Sequence, residues 1–491
     1  MLIPLRSVAK KLVRQRQEDL AHAETYRAWR EIAVELDRLE GAESWKADDT
    51  SEDYDHLLIK ERLAAMRELR KRGDVRPLVF MLHEGLHGNL GNITRPAMYA
   101  VSRVGTKKLI EDYVQEVARC LDYICVGDFP DFGHDQKILF FKRTGSAFGR
   151  SALMLSGGAT LGMFHLGVIK ALHEQDLLPR VISGSSAGSI IAAMTCSRTD
   201  AELPAIFDSE SLNLRAFQNL SLRAAFKSGA MMDGHALDAC LEANIGSETF
   251  TEAFERTRRI AGITVSPAEV HQQGRLLNYL TAPNVLMRRA VQASCAVPGI
   301  FPPVMLQARD YQGATVPYMP SKRWVDGSLS SDLPMLRLAR LHNVNHYIVS
   351  QTNPHVVPFL SDRLPKTGML PFAAELAATS SRNALKLARK HFDVAAPALS
   401  KVYSIVRQRY SGDVNIFPSH APKQLMRMFA NPSSEDIARF IRDGERATWP
   451  KIDRIRNQTH ISRAFESCLL WLKERAREPQ HPPKRLLRAA S

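Results

Sequence analysis

The stretch Val181-Ile182-Ser183-Gly184-Ser185-Ser186-Ala187-Gly188-Ser189-Ile190-Ile191-Ala192-Ala193-Met194 decides how this chain is read. A short apolar run enters Gly-x-Ser-x-Gly, and small and aliphatic residues follow. Strand, tight glycine-flanked turn and buried helix are what a nucleophile elbow requires. The glycines allow strained backbone and close approach, so Ser186 is held at the tip with its hydroxyl presented. The helix N-terminus behind it favours negative charge developing nearby. The pentapeptide recurs by chance, and its weight here comes from the runs on either side.

Outward from the elbow, other short apolar runs punctuate the chain: Ile138-Leu139-Phe140-Phe141, Ala152-Leu153-Met154-Leu155, Ile263-Thr264-Val265 and Tyr347-Ile348-Val349. Read as strands alternating with helical stretches, they predict an α/β sheet covered by helices over about residues 138–360. Residues 1–137 read as a helical domain. Leu57, Leu58, Leu63, Met66 and Leu69 recur at helical spacing, and Gly73 follows three basic residues as a stop; Leu109, Tyr113, Val117 and Leu121 repeat the pattern. Residues 361–477 return to helix, with an amphipathic stretch over 371–409. Residues 478–491 read as a basic, disordered tail.

The 491 residues are 45% hydrophobic and 24% charged, a globular composition that excludes wholesale disorder. Lys and Arg number 66 against 52 Asp and Glu, a net charge of +14 that attracts anionic surfaces without choosing among them. Six scattered cysteines, none in a C-x-x-C pair, signal neither a zinc ribbon nor a redox motif and fit buried thiols in a reducing compartment. Met1 to Arg16 holds no continuous apolar core of a secretory leader, and no uncharged apolar run reaches spanning length. The expectation is a cytoplasmic protein at most peripherally attached to a membrane or lipid surface.

Two further segments carry chemistry. Gly157-Gly158-Ala159-Thr160-Leu161-Gly162 lies between a strand-like run and a helical one. Its backbone N–H groups suit either a phosphate, as in dinucleotide-binding turns, or the oxyanion of acyl transfer. The spacing fits G-x-G-x-x-G poorly, yet the motif alone does not decide. Trp324-Val325-Asp326-Gly327-Ser328 places a carboxylate before a glycine turn, 140 residues after Ser186.

Glycine loop, serine elbow and Asp-Gly turn, in this order, resemble the three signatures of the patatin-like phospholipases. The run Ala293-Ser294-Cys295-Ala296-Val297-Pro298-Gly299-Ile300-Phe301-Pro302-Pro303 resembles the segment before that family's aspartate. Asn89-Leu90-Gly91-Asn92-Ile93 and Tyr410-Ser411-Gly412-Asp413-Val414-Asn415-Ile416 resemble the yeast and plant triacylglycerol lipases, which carry an N-terminal helical domain. The resemblance implies an α/β/α patatin-like core with a Ser-Asp dyad, flanked by N-terminal and C-terminal helices. It implies Ser186 as nucleophile and Asp326 as proton acceptor. It also implies that the N–H groups of Gly157, Gly158 and Ala159 form an oxyanion hole, and that Gly162, Gly184, Gly188 and Gly327 complete the motifs. Ala159 stands where the family usually has a third glycine, and Ser328 replaces Ala or Gly; each keeps its backbone N–H.

The implied activity is release of fatty acids from acylglycerols or phospholipids, with no cofactor and no metal. The implied partners are the lipid substrate and an anionic membrane or lipid-droplet surface. No nucleic-acid motif accompanies the charge. Two alternatives stay open: a Ser-His-Asp triad using His342, His346 or His355, and a non-catalytic lipid-binding scaffold. Oligomeric state is not legible.

Overall fold

The structure is a computed structural model that describes residues 3–213, 215–221, 223, 230–269, 273–328, 332–353, 411–418 and 429–477. The amphipathic stretch 371–409, the tail 478–491 and His355 lie outside the described residues. The chain divides into two compact units. One comprises Met1–Arg14, Ala33–Arg150 and Arg456–Ser491, and the other Gln15–Ile32 and Ser151–Ile455.

The first unit is helical. Helix His56–Arg72 starts at Asp55, whose side chain accepts the Leu58 N–H at 3.0 Å, and ends at Gly73 in the left-handed region, φ 79°. It buries Leu63 and Met66 of the marked positions together with Ile59, while Leu57 faces solvent, and helix Lys108–Val126 buries all four positions its spacing marks, Leu109, Tyr113, Val117 and Leu121. Ile138-Leu139-Phe140-Phe141 is not a strand. It lies within helix His134–Phe148, where Phe140 and Phe141 pack on Phe465 while Leu139 faces solvent. Four apolar residues do not distinguish the two periods. The Gly133 N–H, which the Gln136 side chain accepts at 3.1 Å, caps the start and decides for the helix.

The second unit is built on a seven-stranded sheet. Its strands are β1 (Arg150–Leu155), β2 (Val181–Gly184), β3 (Ile260–Pro267), β4 (Arg275–Leu277), β7 (Trp324–Asp326), β8 (Val344–Ser350) and β9 (Val414–Ile416). Between β4 and β7, the short strands β5 (Gln307–Arg309) and β6 (Thr315–Pro317) form a separate two-stranded sheet. The main order is β4-β3-β2-β1-β8-β9, with β7 also on β3. β1, β2 and β3 run parallel, joined by helices Phe164–Glu174 and Ala187–Cys196, and β4 and β7 pair antiparallel to β3.

Alternation along the parallel strands supplies two cores. Leu153, Leu155 and Ile182 join one cluster with Leu166, Ile169, Ile191 and Leu241. Ala152, Met154 and Val181 point the other way, to Leu338 of helix Met335–His342. A sheet apolar on both faces must be covered on both, which yields the α/β/α layering. Helix Ser434–Thr448 pairs with helix Phe164–Glu174 through the half-buried ion pair Lys170–Glu445.

Candidate active site

The elbow forms where β2 ends. Ser186 has φ 50° and ψ −126°, backbone that a side-chain-bearing residue adopts only under constraint. A methyl group on Gly184 would overlap the Gly188 carbonyl, and one on Gly188 would overlap that of Leu155, so the turn closes only with glycine at both places. The Ser186 N–H donates to Ser294 Oγ at 2.9 Å, and its carbonyl accepts from Ser189 Oγ at 2.6 Å.

Asp326 reaches this turn through β3. Gly184 is opposite Ile263, and Asp326 is opposite Val265, two residues further along. β4 pairs with Ile263 through Val265 and so occupies the other edge of β3. β7 therefore continues the edge that β2 vacates as it turns into the elbow. There the Asp326 carboxylate accepts the Ser328 N–H at 2.7 Å, and the side chains of Ser328 and Ser186 lie close enough to favour its charged form. Asp326 is 1% exposed. Burial raises its pKa from 3.8 to about 6, against the pull of these groups.

The glycine loop follows β1 and runs into the short 3₁₀ turn Ala159–Met163, with Gly157 against the Cβ atoms of Ser186 and Ser328. Ala159 sits at φ 48°, a position that favours glycine. The Gly157 N–H, expected to face an oxyanion, is instead donated to Asp332 Oδ1 at 3.0 Å. That leaves Gly158 and Ala159 as the donors of the loop. A buried carboxylate on the first N–H also disfavours a phosphate there, which removes the dinucleotide reading of this turn.

The site contains two groups that sequence reading missed. Asp332 is 2% exposed, with its pKa raised to about 7 by burial and, secondarily, by Asp326. The signal available was a second carboxylate in the short segment returning from the Asp-Gly turn toward Leu333 and Pro334. His165 is fully buried, its Nε2 at 3.0 Å from the Ser156 carbonyl and its Nδ1 at 2.7 Å from Ser350 Oγ. Burial lowers its pKa to about 4, so it is neutral and braces the base of the loop. Of the triad candidates, His346 bonds Ser151 Oγ at 2.9 Å, at the end of β1 remote from the loop, and His342 stacks on Tyr279.

A cavity of about 80 Å³ opens beside Ser186, lined by Met163, Ile190, Leu237, Ile300, Phe301 and Phe429. Its lining is overwhelmingly apolar and suits a hydrocarbon chain. All six cysteines are free and buried. Among the described residues no cluster of three or more His, Cys, Asp or Glu is placed to hold a metal, and no helix is long and apolar enough to cross a membrane.

Two family models match the chain: a domain of unknown function, DUF3336, over residues 7–146, and patatin-like phospholipase over residues 153–339. The chain is 36% identical to triacylglycerol lipase SDP1L of Arabidopsis thaliana over 92% of its own length and 58% of that protein. It is 36% identical to triacylglycerol lipase 4 of Saccharomyces cerevisiae, over 92% of this chain and 53% of that one. The chain thus spans little more than half of these two relatives. With triacylglycerol lipase ptl3 of Schizosaccharomyces pombe the identity is 33%, over 93% of this chain and 98% of that protein. A likeness of this extent, with the elbow and the Asp-Gly turn meeting at one strand edge, means that the chain belongs to the patatin-like phospholipase family.

Proposed function

We propose that the protein is a serine acyl-ester hydrolase that releases fatty acids from acylglycerols, triacylglycerol foremost, at a membrane or lipid-droplet surface on the cytoplasmic side. One observation carries the reading: Ser186, strained at the tip of its elbow, faces the buried carboxylate of Asp326, and its side chain favours the charged form of that carboxylate. The names of the relatives and the apolar cavity beside Ser186 support an acyl substrate.

Asp326 accepts the proton of Ser186 as the hydroxyl attacks the ester carbonyl. The N–H groups of Gly158 and Ala159 stabilise the oxyanion, and an acyl-enzyme forms as the alcohol leaves carrying the proton Asp326 took from Ser186, which returns Asp326 to the carboxylate. Water, activated by the same carboxylate, then releases the fatty acid. Burial makes a carboxylate a better base than it is in water, and the dyad needs that because no imidazole intervenes. The net charge of +14 supplies attraction to anionic lipid.

The test is fatty acid released from triacylglycerol, monoacylglycerol and phospholipid, with Ser186→Ala as control. Release by wild type and not by the variant is expected. A fluorophosphonate probe that fails to label wild-type Ser186 would leave a non-catalytic lipid-binding scaffold in its place. Flotation with anionic liposomes tests the surface: protein remaining at the bottom at low salt counts against it.

A further inference from the structure

We infer that Asp332 is a positioning residue for acyl transfer, its ionised carboxylate fixing the glycine loop so that the N–H groups of Gly158 and Ala159 meet the oxyanion. The inference rests on the hydrolase reading of Ser186 and Asp326.

Asp332 touches three parts of the site at once. Its Oδ1 accepts the Gly157 N–H at 3.0 Å, and its Oδ2 accepts from Asn353 Nδ2 at 2.5 Å, just beyond the end of β8. Its own carbonyl accepts from Ser185 Oγ at 2.9 Å, and Ser185 immediately precedes Ser186. Loop, elbow and strand end are thereby tied to one buried residue.

The tie matters because two successive glycines do not hold their peptide planes unaided. Asp332 fixes the plane before Gly157. Hydroxyls of Ser156 and Thr352 hold the Gly157 carbonyl, each at 3.0 Å, and so fix the plane after it. In a trans peptide the N–H points opposite to the carbonyl, so anchoring that oxygen sets the direction of the Gly158 N–H. Releasing Asp332 would free the first plane and let the second follow.

Among the described residues, donors and one carboxylate face Asp332. Gly157 and Asn353 donate hydrogen bonds to the charged form, the Asp326 carboxylate opposes it, and His165, behind the Ser156 carbonyl, is neutral. Burial leads the opposing effects and raises the Asp332 pKa to about 7. Protonation converts one accepting oxygen into a donor among donors, so the clamp weakens as the pH falls through neutrality.

The experiment measures hydrolysis of p-nitrophenyl butyrate by the full chain as wild type, Asp332→Ala and Asp332→Asn, across pH 5 to 9. Asp332→Ala is expected to lower kcat on the order of a hundredfold with KM within about threefold, the pattern of a misaligned oxyanion donor. Asp332→Asn keeps an acceptor for Gly157 but sets a donor against Asn353 Nδ2, as the protonated acid does, and is expected to lower kcat about tenfold. Its acid limb should involve one proton, where wild type loses activity with two. Wild-type kcat in the alanine variant, or an unchanged acid limb in the asparagine variant, overturns the inference. Should Asp332→Ala not fold, the profile of Asp332→Asn decides alone. A wild type that neither hydrolyses the ester nor takes a fluorophosphonate label removes the hydrolase reading and this inference together, whereas an active wild type with indifferent variants removes only the inference.

Discussion

Asp326 and Gly184 share one edge of β3, Gly184 opposite Ile263 and Asp326 opposite Val265. Two residues of strand advance the chain by about 7 Å. That is the step from the last residue of β2 past the tip of the elbow, so the register of β3 sets the distance between the Ser186 hydroxyl and its carboxylate. β2 must end where it does, because β7 occupies the place it would need to continue.

Replacing the base should therefore abolish chemistry without disturbing the frame. Asp326→Asn is expected to lower kcat on the order of 10⁴-fold, as loss of the proton acceptor does in serine hydrolases. Steady-state kinetics on a soluble ester, with circular dichroism to check folding, would measure it. A variant retaining a tenth of wild-type kcat would remove Asp326 from the reaction.

The same carboxylate should make the wild type less stable as the pH rises. Its folded pKa of about 6 lies above the ordinary value of 3.8, so the native state holds the proton more tightly than the unfolded state does. The resulting penalty is absent below about pH 4, develops between the two values and is fully present above about pH 6. Two pKa units correspond to about 3 kcal/mol. Asp326→Asn should be more stable than wild type by up to that amount at pH 8, with the advantage vanishing near pH 4. Denaturant titrations at the two pH values would show this, and an equal difference at both would contradict it.

Activity should follow the titration in the opposite sense. Only the ionised carboxylate accepts the serine proton, so kcat/KM rises through the region of pH 6 to 7 and levels off above it. The neutral His165, with its pKa near 4, contributes no limb in this range. His165→Gln should therefore leave the midpoint in place even where it lowers the rate.

Ala159 holds a left-handed conformation, φ 48°, inside the oxyanion loop. Ala159→Gly relieves the steric cost of a side chain there, about 1 kcal/mol, partly offset by the extra freedom of unfolded glycine. Its activity should stay within about threefold of wild type, with thermal stability equal or slightly higher. Ala159→Val sets a β-branched residue at positive φ and should lose both. Thermal unfolding and ester hydrolysis of the pair would measure the difference, and an active, stable valine variant would contradict the strain argument.

Leu237, buried on helix Gly234–Ile245, forms part of the cavity wall beside Ser186. Leu237→Trp would fill the cavity from that side. Hydrolysis of long acyl esters is expected to fall at least tenfold relative to butyrate esters, as pocket contacts convert to specificity. Unchanged chain-length preference would mean that the acyl chain lies elsewhere.

Local order was legible from local residues. The helix through Leu63 and Met66 stops at Gly73, the glycines of the elbow admit a turn nothing else fits, and the cysteines are buried apolar groups. Ile138 to Phe141 was misread because a four-residue apolar run carries no period of its own; the cap at Gly133 and the packing on Phe465 supplied it.

What the residues determined alone was therefore every feature set by neighbours within about a turn: the elbow, the glycine loop, the helix stops and the charge. Tertiary structure decided which of these meet. The pairing of β7 with the upper half of β3 brings residue 326 to residue 186, and the return of the chain through Asp332 claims the Gly157 N–H for a carboxylate. Such contacts depend on strand register and on competition among buried donors and acceptors, and both quantities exist only once distant segments have been packed together.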